Sequence, residues 1–168
     1  MAILRVLCSK PAEADHIAVK AARASKPKKR DASWLKPQGA LQAAAQAQLA
    51  FVEAVRQGLP LELVDRLVGA GYLTSAEISQ LVLPARTLAH RRQHDQRLSP
   101  EESDRFARVL RLVALAEETF GDRDKARVWL RRPNRALEGR VPLDLLDTDG
   151  GARAVETILS RITHGVYS

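Results

Sequence analysis

Cysteines, aromatic residues and long apolar runs are all scarce in this chain of 168 residues. Cys8 is its one cysteine, which excludes an intrachain disulfide and is typical of a protein in a reducing compartment. No run of about 18 apolar residues occurs, which excludes a membrane-spanning helix. The apolar stretch that follows Met1 is too short for the core of a signal peptide. We therefore expect a cytoplasmic protein that does not contact a membrane.

Helix-forming residues dominate what remains. Hydrophobic residues make up 45% of the chain but aromatic residues only 4%, and Ala, Leu and Arg are plentiful. These side chains lose little rotamer freedom in a helix. Apolar residues recur at helical spacing, and no segment of any length alternates between apolar and polar residues as a strand does. The sequence therefore predicts an all-α fold.

Positive charge is concentrated at the N-terminus. The net charge is +7, and residues 1–38 hold nine Lys or Arg residues against three Asp or Glu residues. The other 130 residues hold eighteen basic and seventeen acidic residues, which nearly cancel. A basic segment of this kind suits a polyanion such as DNA, because binding releases counterions. It is equally typical of a solubilising tail, and the sequence leaves both interpretations open.

Capping residues predict where the later helices begin. Thr74 with Glu77, and Ser99 with Glu102, have the spacing of a capping box. Pro84 suits the first residue of a helix, where its missing N–H would have no partner in any case. Helices are predicted at 40–57, 61–68, 74–82, 84–94, from Ser99 to Phe120, after Asp122, at 141–146 and at 150–163.

The two short helices at 74–82 and 84–94 form a candidate helix-turn-helix. In such a motif the second helix enters the major groove, where residues near its start face the base edges and flanking arginines neutralise phosphates. The candidates for DNA contact are Arg86, Thr87, His90 and Arg91, with Arg92 beside them. A plain helical hairpin whose arginines stay in water fits the same composition, so both interpretations remain open at this point.

Residues arranged for catalysis are not found. The chain has no Gly-rich phosphate loop, no cysteine pair and no recognisable nucleophile. His90 and His94 have a spacing that can hold zinc, but no third ligand is evident, and Arg91 and Arg92 would repel a cation. We therefore expect a protein that is not an enzyme and holds neither a metal nor a cofactor.

A set of ordered landmarks resembles one known family. The set begins with Arg86-Thr87-Leu88, Arg91-Arg92 and Leu98-Ser-Pro-Glu-Glu-Ser-Asp-Arg105, continues through Phe120-Gly-Asp122, Ala126, Trp129-Leu130, Pro133-Asn134, Ala136-Leu137 and Pro142-Leu143, and closes with Gly151, Val155, Leu159, Arg161-Ile162 and His164-Gly165-Val166. In order and spacing it resembles the Xre/MbcA/ParS antitoxins, from about Leu59 to the end of the chain. The first 58 residues show no such likeness, and Pro84 stands where many relatives have a small hydroxyl residue.

The resemblance implies a domain organisation and partners. The charge distribution delimits a basic segment (1–38), and with the resemblance the sequence predicts a helical domain containing the helix-turn-helix (39–97, with the motif at about 74–94) and a toxin-binding domain (98–168). The partner would be a RES-domain toxin that consumes NAD, and the pair would bind operator DNA and repress their own operon. Family members also tend to self-associate, which implies a homodimer within a toxin–antitoxin hetero-oligomer.

The resemblance also implies that the end of the chain enters the toxin's NAD pocket and obstructs it. The candidate toxin-binding residues are Arg161, His164, Val166, Tyr167 and Ser168. They lie at and just after the end of an amphipathic helix, which would project a polar and partly aromatic tip. A frayed C-terminus is the alternative interpretation of this segment. The alternative function is a stand-alone helix-turn-helix transcription regulator without a toxin partner.

Overall fold

Helices account for nearly all the regular structure of the chain. The computed structural model describes residues 38–165, and within them it contains seven α-helices, two short 3-10 helices and no strand. The α-helices are α1 (Gln38–Gln57), α2 (Leu61–Gly69), α3 (Ser75–Leu81), α4 (Ala85–Gln93), α5 (Pro100–Phe120), α6 (Arg123–Leu130) and α7 (Asp149–Thr163). The 3-10 helices are Arg135–Leu137 and Leu143–Asp147. The all-α prediction is confirmed. The predicted basic segment lies, up to residue 37, outside the described residues.

The predicted capping residues begin the helices that follow them. The side chain of Thr74 accepts a hydrogen bond from the backbone N–H of Glu77, and Glu77 accepts one from the N–H of Thr74 in return. Ser99 and Glu102 form the same reciprocal pair at the start of α5. Asp122 caps α6. Each cap satisfies backbone donors that have no partner within the helix, which is why these positions could be predicted from residue type.

Pro84 is placed one residue differently from the prediction. Its ψ of 144° is extended, so Pro84 is the N-cap of α4 and the helix begins at Ala85. An N-cap residue is non-helical by definition, and the extended ψ lets the chain turn sharply between α3 and α4. Leu83, immediately before it, is buried.

Helix α5 is the centre of the fold. It packs against α1, α3, α6 and α7, and its buried residues recur every three or four positions on a wide face. Those residues are Ser103, Phe106, Val109, Leu110, Leu112, Val113 and Ala116. The buried apolar residues from Leu59 to Leu159 form one continuous cluster around this helix. The helices before and after α5 therefore share a single core.

Helix α1 contacts the core near its C-terminal end. Ala54 and Val55 pack against the core cluster, whereas Leu49, Phe51 and Val52 are exposed. No charged residue occurs from position 38 to position 52. No helix in residues 38–165 is nevertheless long and apolar enough to cross a membrane.

Candidate functional site

A short turn joins α3 and α4, the two helices of the predicted helix-turn-helix, which pack against each other. The backbone N–H groups of Val82 and Leu83 both donate to the carbonyl oxygen of Ile78, at 3.0 and 3.3 Å, which closes the end of α3. Helix α4 then buries one residue, Leu88, against the core. The rest of α4 is exposed or partly exposed, so a face of this helix is available to a ligand.

The five predicted DNA-contact residues do not share one environment. Arg86 and His90 are exposed and Thr87 is partly buried. Arg91 and Arg92, in contrast, both form ion pairs with carboxylates of other helices. Among the five, Arg86 is the arginine for which the described residues provide no hydrogen bond or ion-pair partner.

Arg91 joins the end of α4 to the start of α5. Its Nε lies 2.9 Å from Oε2 of Glu102, and its Nη2 donates to Oε1 of Glu102 at 3.0 Å. Its Nη1 donates to the carbonyl oxygen of Arg97 at 3.1 Å. The side chains of Arg91 and Glu102 are only 21% and 13% exposed. These contacts hold α4 against α5 and occupy the guanidinium group of Arg91.

Arg92 ties α4 to another helix through a more exposed contact. Its guanidinium group pairs with the carboxylate of Asp65 on α2, and about half of each side chain is exposed. A surface pair of this kind contributes little to stability and can exchange its carboxylate for a phosphate. Arg92 therefore remains a candidate for DNA contact.

The two histidines considered as metal ligands lie against each other, with their ring planes tilted by 37°. The ring centroids of His90 and His94 are 4.3 Å apart, and Nδ1 of His94 lies 2.9 Å from the carbonyl oxygen of His90. Within the described part of the chain, no group of three or more His, Cys, Asp or Glu residues is arranged to hold a metal ion. The pair lies on an exposed face beside Arg91 and Arg92.

Two arginines that the sequence analysis did not select, one at each end of α6, contact α3 and the segment that precedes it. Arg123 donates to the carbonyl oxygen of Ala70 and lies over the ring of Tyr72, 4.0 Å from its centroid. Arg131 donates to both carboxylate oxygens of Glu77, from Nε at 2.7 Å and from Nη2 at 2.8 Å. Of the residues in this second contact, the sequence analysis selected only Glu77, as part of a capping box.

The same contact changes the acidity of Glu77. Burial by itself raises the pKa of this carboxyl group, but the hydrogen bonds from Arg131 and Thr74 and the charge of Arg131 together outweigh that effect. The pKa of Glu77 therefore lies below its ordinary value, and the carboxylate stays ionised.

The end of α7 carries the described part of the predicted toxin-binding set. Helix α7 buries Ala152, Val155, Ile158 and Leu159, while Arg161 and His164 are exposed. Thr163 is tied to the fold because its Oγ1 donates to the carbonyl oxygen of Leu159 at 3.1 Å and lies 3.2 Å from Oγ1 of Thr119. Val166, Tyr167 and Ser168 lie outside the described residues.

Comparison with known proteins identifies both halves of this arrangement. Residues 50–111 match the model of the antitoxin Xre-like helix-turn-helix domain. Residues 115–165 match the antitoxin Xre/MbcA/ParS C-terminal toxin-binding domain. The chain belongs to the Xre antitoxin family. Both family matches meet inside α5, so the Xre helix-turn-helix and the toxin-binding region share one helix as well as one core.

Curated relatives agree with this assignment. The chain is similar to the antitoxin Xre of Yersinia enterocolitica, with 37% identity over 120 residues that cover 70% of this chain and 81% of the relative. It is also similar to the antitoxin Xre of Pseudomonas putida, with 36% identity covering 66% and 69%. A third relative, the Prs ADP-ribosylating antitoxin of a Sphingobium species, is 28% identical over 70% of this chain and 80% of its own length. The Xre antitoxin assignment implies a toxin partner and DNA binding.

Proposed function

We propose that this antitoxin neutralises a RES-type, NAD-consuming toxin by placing its C-terminal segment in the toxin's active site. The observation that supports this most directly is the arrangement of α7. Its apolar side is buried in the core and its last turn ends in the exposed Arg161 and His164. A helix anchored in this way can carry the residues after it into a cleft at little entropic cost, because its own position is already set.

The chemistry of the partner is supported by one relative. The Sphingobium antitoxin is named for ADP-ribosylation, a reaction that takes its ADP-ribose group from NAD. In a toxin with a dinucleotide cleft, Arg161 of the inhibitory tip would pair with carboxylates such as those that bind the ribose hydroxyl groups of NAD. Inhibition would be occlusion, with no catalysis by the antitoxin, and it would take place in the cytoplasm.

A truncation and a pair of point variants test the occlusion. We expect deletion of residues 164–168 to release toxin activity while leaving the melting temperature nearly unchanged, because Thr163 and its contacts are retained.

Arg161→Glu is expected to weaken inhibition. Arg153→Glu, an exposed arginine of the same helix that pairs with Asp149, is the matched control and should inhibit normally. Toxin activity is measured as NAD consumption by the purified toxin, and full inhibition by the truncated antitoxin would refute occlusion.

The same antitoxin is proposed to bind operator DNA and repress its own operon. Helix α4 exposes Arg86 and His90 next to the partly buried Thr87, which suits direct contact with base edges. Arg92 on the same helix is free enough to reach a phosphate. Arg91 has its role in holding α4 against α5. The contacts proposed for DNA are therefore Arg86, Thr87, His90 and Arg92, with Arg91 acting on their position.

Self-association is proposed to use α1 and a second copy of this chain. Ala45, Leu49 and Val52 follow helical spacing and are exposed. A two-fold interface brings each residue close to its own copy, so the uncharged stretch 38–52 avoids the repulsion that a charged helix would meet. A dimer also suits paired half-sites in an operator. Leu49→Glu should shift the mass measured by light scattering to that of a monomer, whereas Ala47→Glu, on the other side of α1, should not.

A further inference from the structure

The contact between Arg131 and Glu77 crosses between the two family regions. Arg131 lies in the toxin-binding region and Glu77 in the helix-turn-helix region. Their side chains are 29% and 15% exposed, and both carboxylate oxygens accept hydrogen bonds from the one guanidinium group. Nη2 of Arg131 also donates to the carbonyl oxygen of Tyr72 at 3.3 Å. A contact through two parallel hydrogen bonds fixes the relative orientation of the two side chains as well as their separation.

Glu77 is at the same time part of the cap of α3. Its Oε2 accepts hydrogen bonds from the N–H of Thr74 at 2.7 Å and from Nη2 of Arg131 at 2.8 Å. The backbone N–H of Glu77 donates to Thr74 Oγ1 at 3.2 Å. The orientation of the Glu77 side chain therefore links the first turn of α3 to Arg131, which belongs to the other region.

Helix α4 takes its position largely from α3. Its most extensive packing is against α3, and it buries only Leu88. The other end of α3 is also tied to the toxin-binding region, because Nε2 of Gln80 donates to Oδ1 of Asp144 at 3.2 Å. A tilt of α3 would therefore displace the exposed side chains of α4. Small displacements of this kind break contacts with base edges in the major groove of DNA.

We propose that Arg131 is a positioning residue for DNA recognition, supplied by the toxin-binding region, which holds α3 through Glu77 and thereby sets the angle of α4. The proposal rests on the proposed DNA contacts of α4. Arg131 itself touches no base, since its donors are directed at Glu77, Tyr72 and Arg127.

Two variants separate positioning from simple electrostatics. The probe is the DNA upstream of the antitoxin's own gene, and the readout is its dissociation constant for the full-length chain. Glu77→Gln removes a negative charge, which by electrostatics alone would strengthen DNA binding. Arg131→Lys keeps the charge and loses the two-point contact. Positioning predicts that both variants bind about tenfold more weakly, within the range of typical coupling between sites.

The control and the remaining readouts make the result decisive. Arg153→Lys is the control, because Arg153 also pairs with a carboxylate at 2.7 Å, but that carboxylate, of Asp149, belongs to the same helix α7. The Arg153→Lys variant should bind DNA like the unaltered chain. Inhibition of the toxin should be unchanged in Glu77→Gln and Arg131→Lys, whereas general unfolding would reduce inhibition and DNA binding together. If both variants bind DNA as tightly as the unaltered chain, the positioning role is overturned and DNA binding by α4 stands. If the unaltered chain does not bind this DNA, the proposed operator function is overturned and the positioning role with it.

Discussion

Ser103 accepts a hydrogen bond from the backbone N–H of Leu59, with 2.8 Å between Oγ and N. Ser103 is fully buried on α5, and Leu59 is a buried residue of the connection between α1 and α2. In the part of the chain that the structure describes, Ser103 is the one buried polar residue. Its hydroxyl group satisfies a donor that water cannot reach, and so anchors the start of the helix-turn-helix region to the central helix.

Removing this hydroxyl group should destabilise the fold. We expect Ser103→Ala to lower the free energy of unfolding by about 1–3 kcal/mol, because the buried N–H of Leu59 would lose its partner. The quantity is measured by urea denaturation followed by far-ultraviolet circular dichroism. Ser160→Ala, at an exposed position of α7, is the control and should change the free energy by no more than about 0.5 kcal/mol. Equal stability of the two variants would contradict the role given to Ser103.

Adjacent glycines at the start of α7 should respond in opposite ways to alanine. At Gly151 a Cβ atom would lie 2.9 Å from Cβ of Leu145 and closer still to its carbonyl oxygen, whereas nothing lies within 4 Å of a Cβ at Gly150. Gly151→Ala should therefore displace α7 from the 3-10 helix before it, lowering the melting temperature and weakening toxin inhibition. Gly150→Ala should raise stability by about 0.5–1 kcal/mol, as for an unhindered glycine in a helix. A stabilised Gly151→Ala would show that this close approach is not required.

Two arginines of α4 should differ in what their removal costs. Arg86→Ala should weaken binding to operator DNA by about 1–3 kcal/mol, as the loss of a base contact does, with stability changed by less than about 0.5 kcal/mol. Arg91→Ala should instead destabilise the protein by about 1–3 kcal/mol, because the largely buried carboxylate of Glu102 loses its partner. Gel shifts at several salt concentrations and thermal melting distinguish the two. Loss of DNA binding by Arg91→Ala alone, without loss of stability, would reverse these roles.

Acid should weaken the contact between α3 and α6. Because the pKa of Glu77 is lowered in the folded state, ionised Glu77 contributes stability above its unfolded pKa of about 4.3, and that contribution is lost as the pH falls through the folded pKa. We expect Glu77→Gln to be less stable than the unaltered chain at neutral pH, and the difference to shrink as the pH falls below about 4.3. Denaturation curves at several pH values measure the difference. A constant difference over that range would exclude this role for Glu77.

The contacts that join the two family regions could not be predicted from sequence patterns. Arg131 and Glu77 are 54 positions apart, and no periodicity relates residues at such a separation. Arg91 illustrates the same limit at shorter range: it was predicted as a DNA contact because it lies on a basic helix, yet its partner Glu102 lies 11 positions away on the next helix. An exposed arginine and a paired one have the same sequence pattern.

The sequence alone determined the all-α class and the helix starts at Thr74, Ser99 and Asp122, because caps and helical faces depend on residues three or four positions apart. The order and spacing of its landmarks also indicated the family. Tertiary structure decided which arginines of α4 remain available, that α5 serves both family regions, and that Leu49 and Val52 of α1 stay exposed. Those outcomes depend on which distant side chains meet when the core closes, and a local pattern carries no information about that.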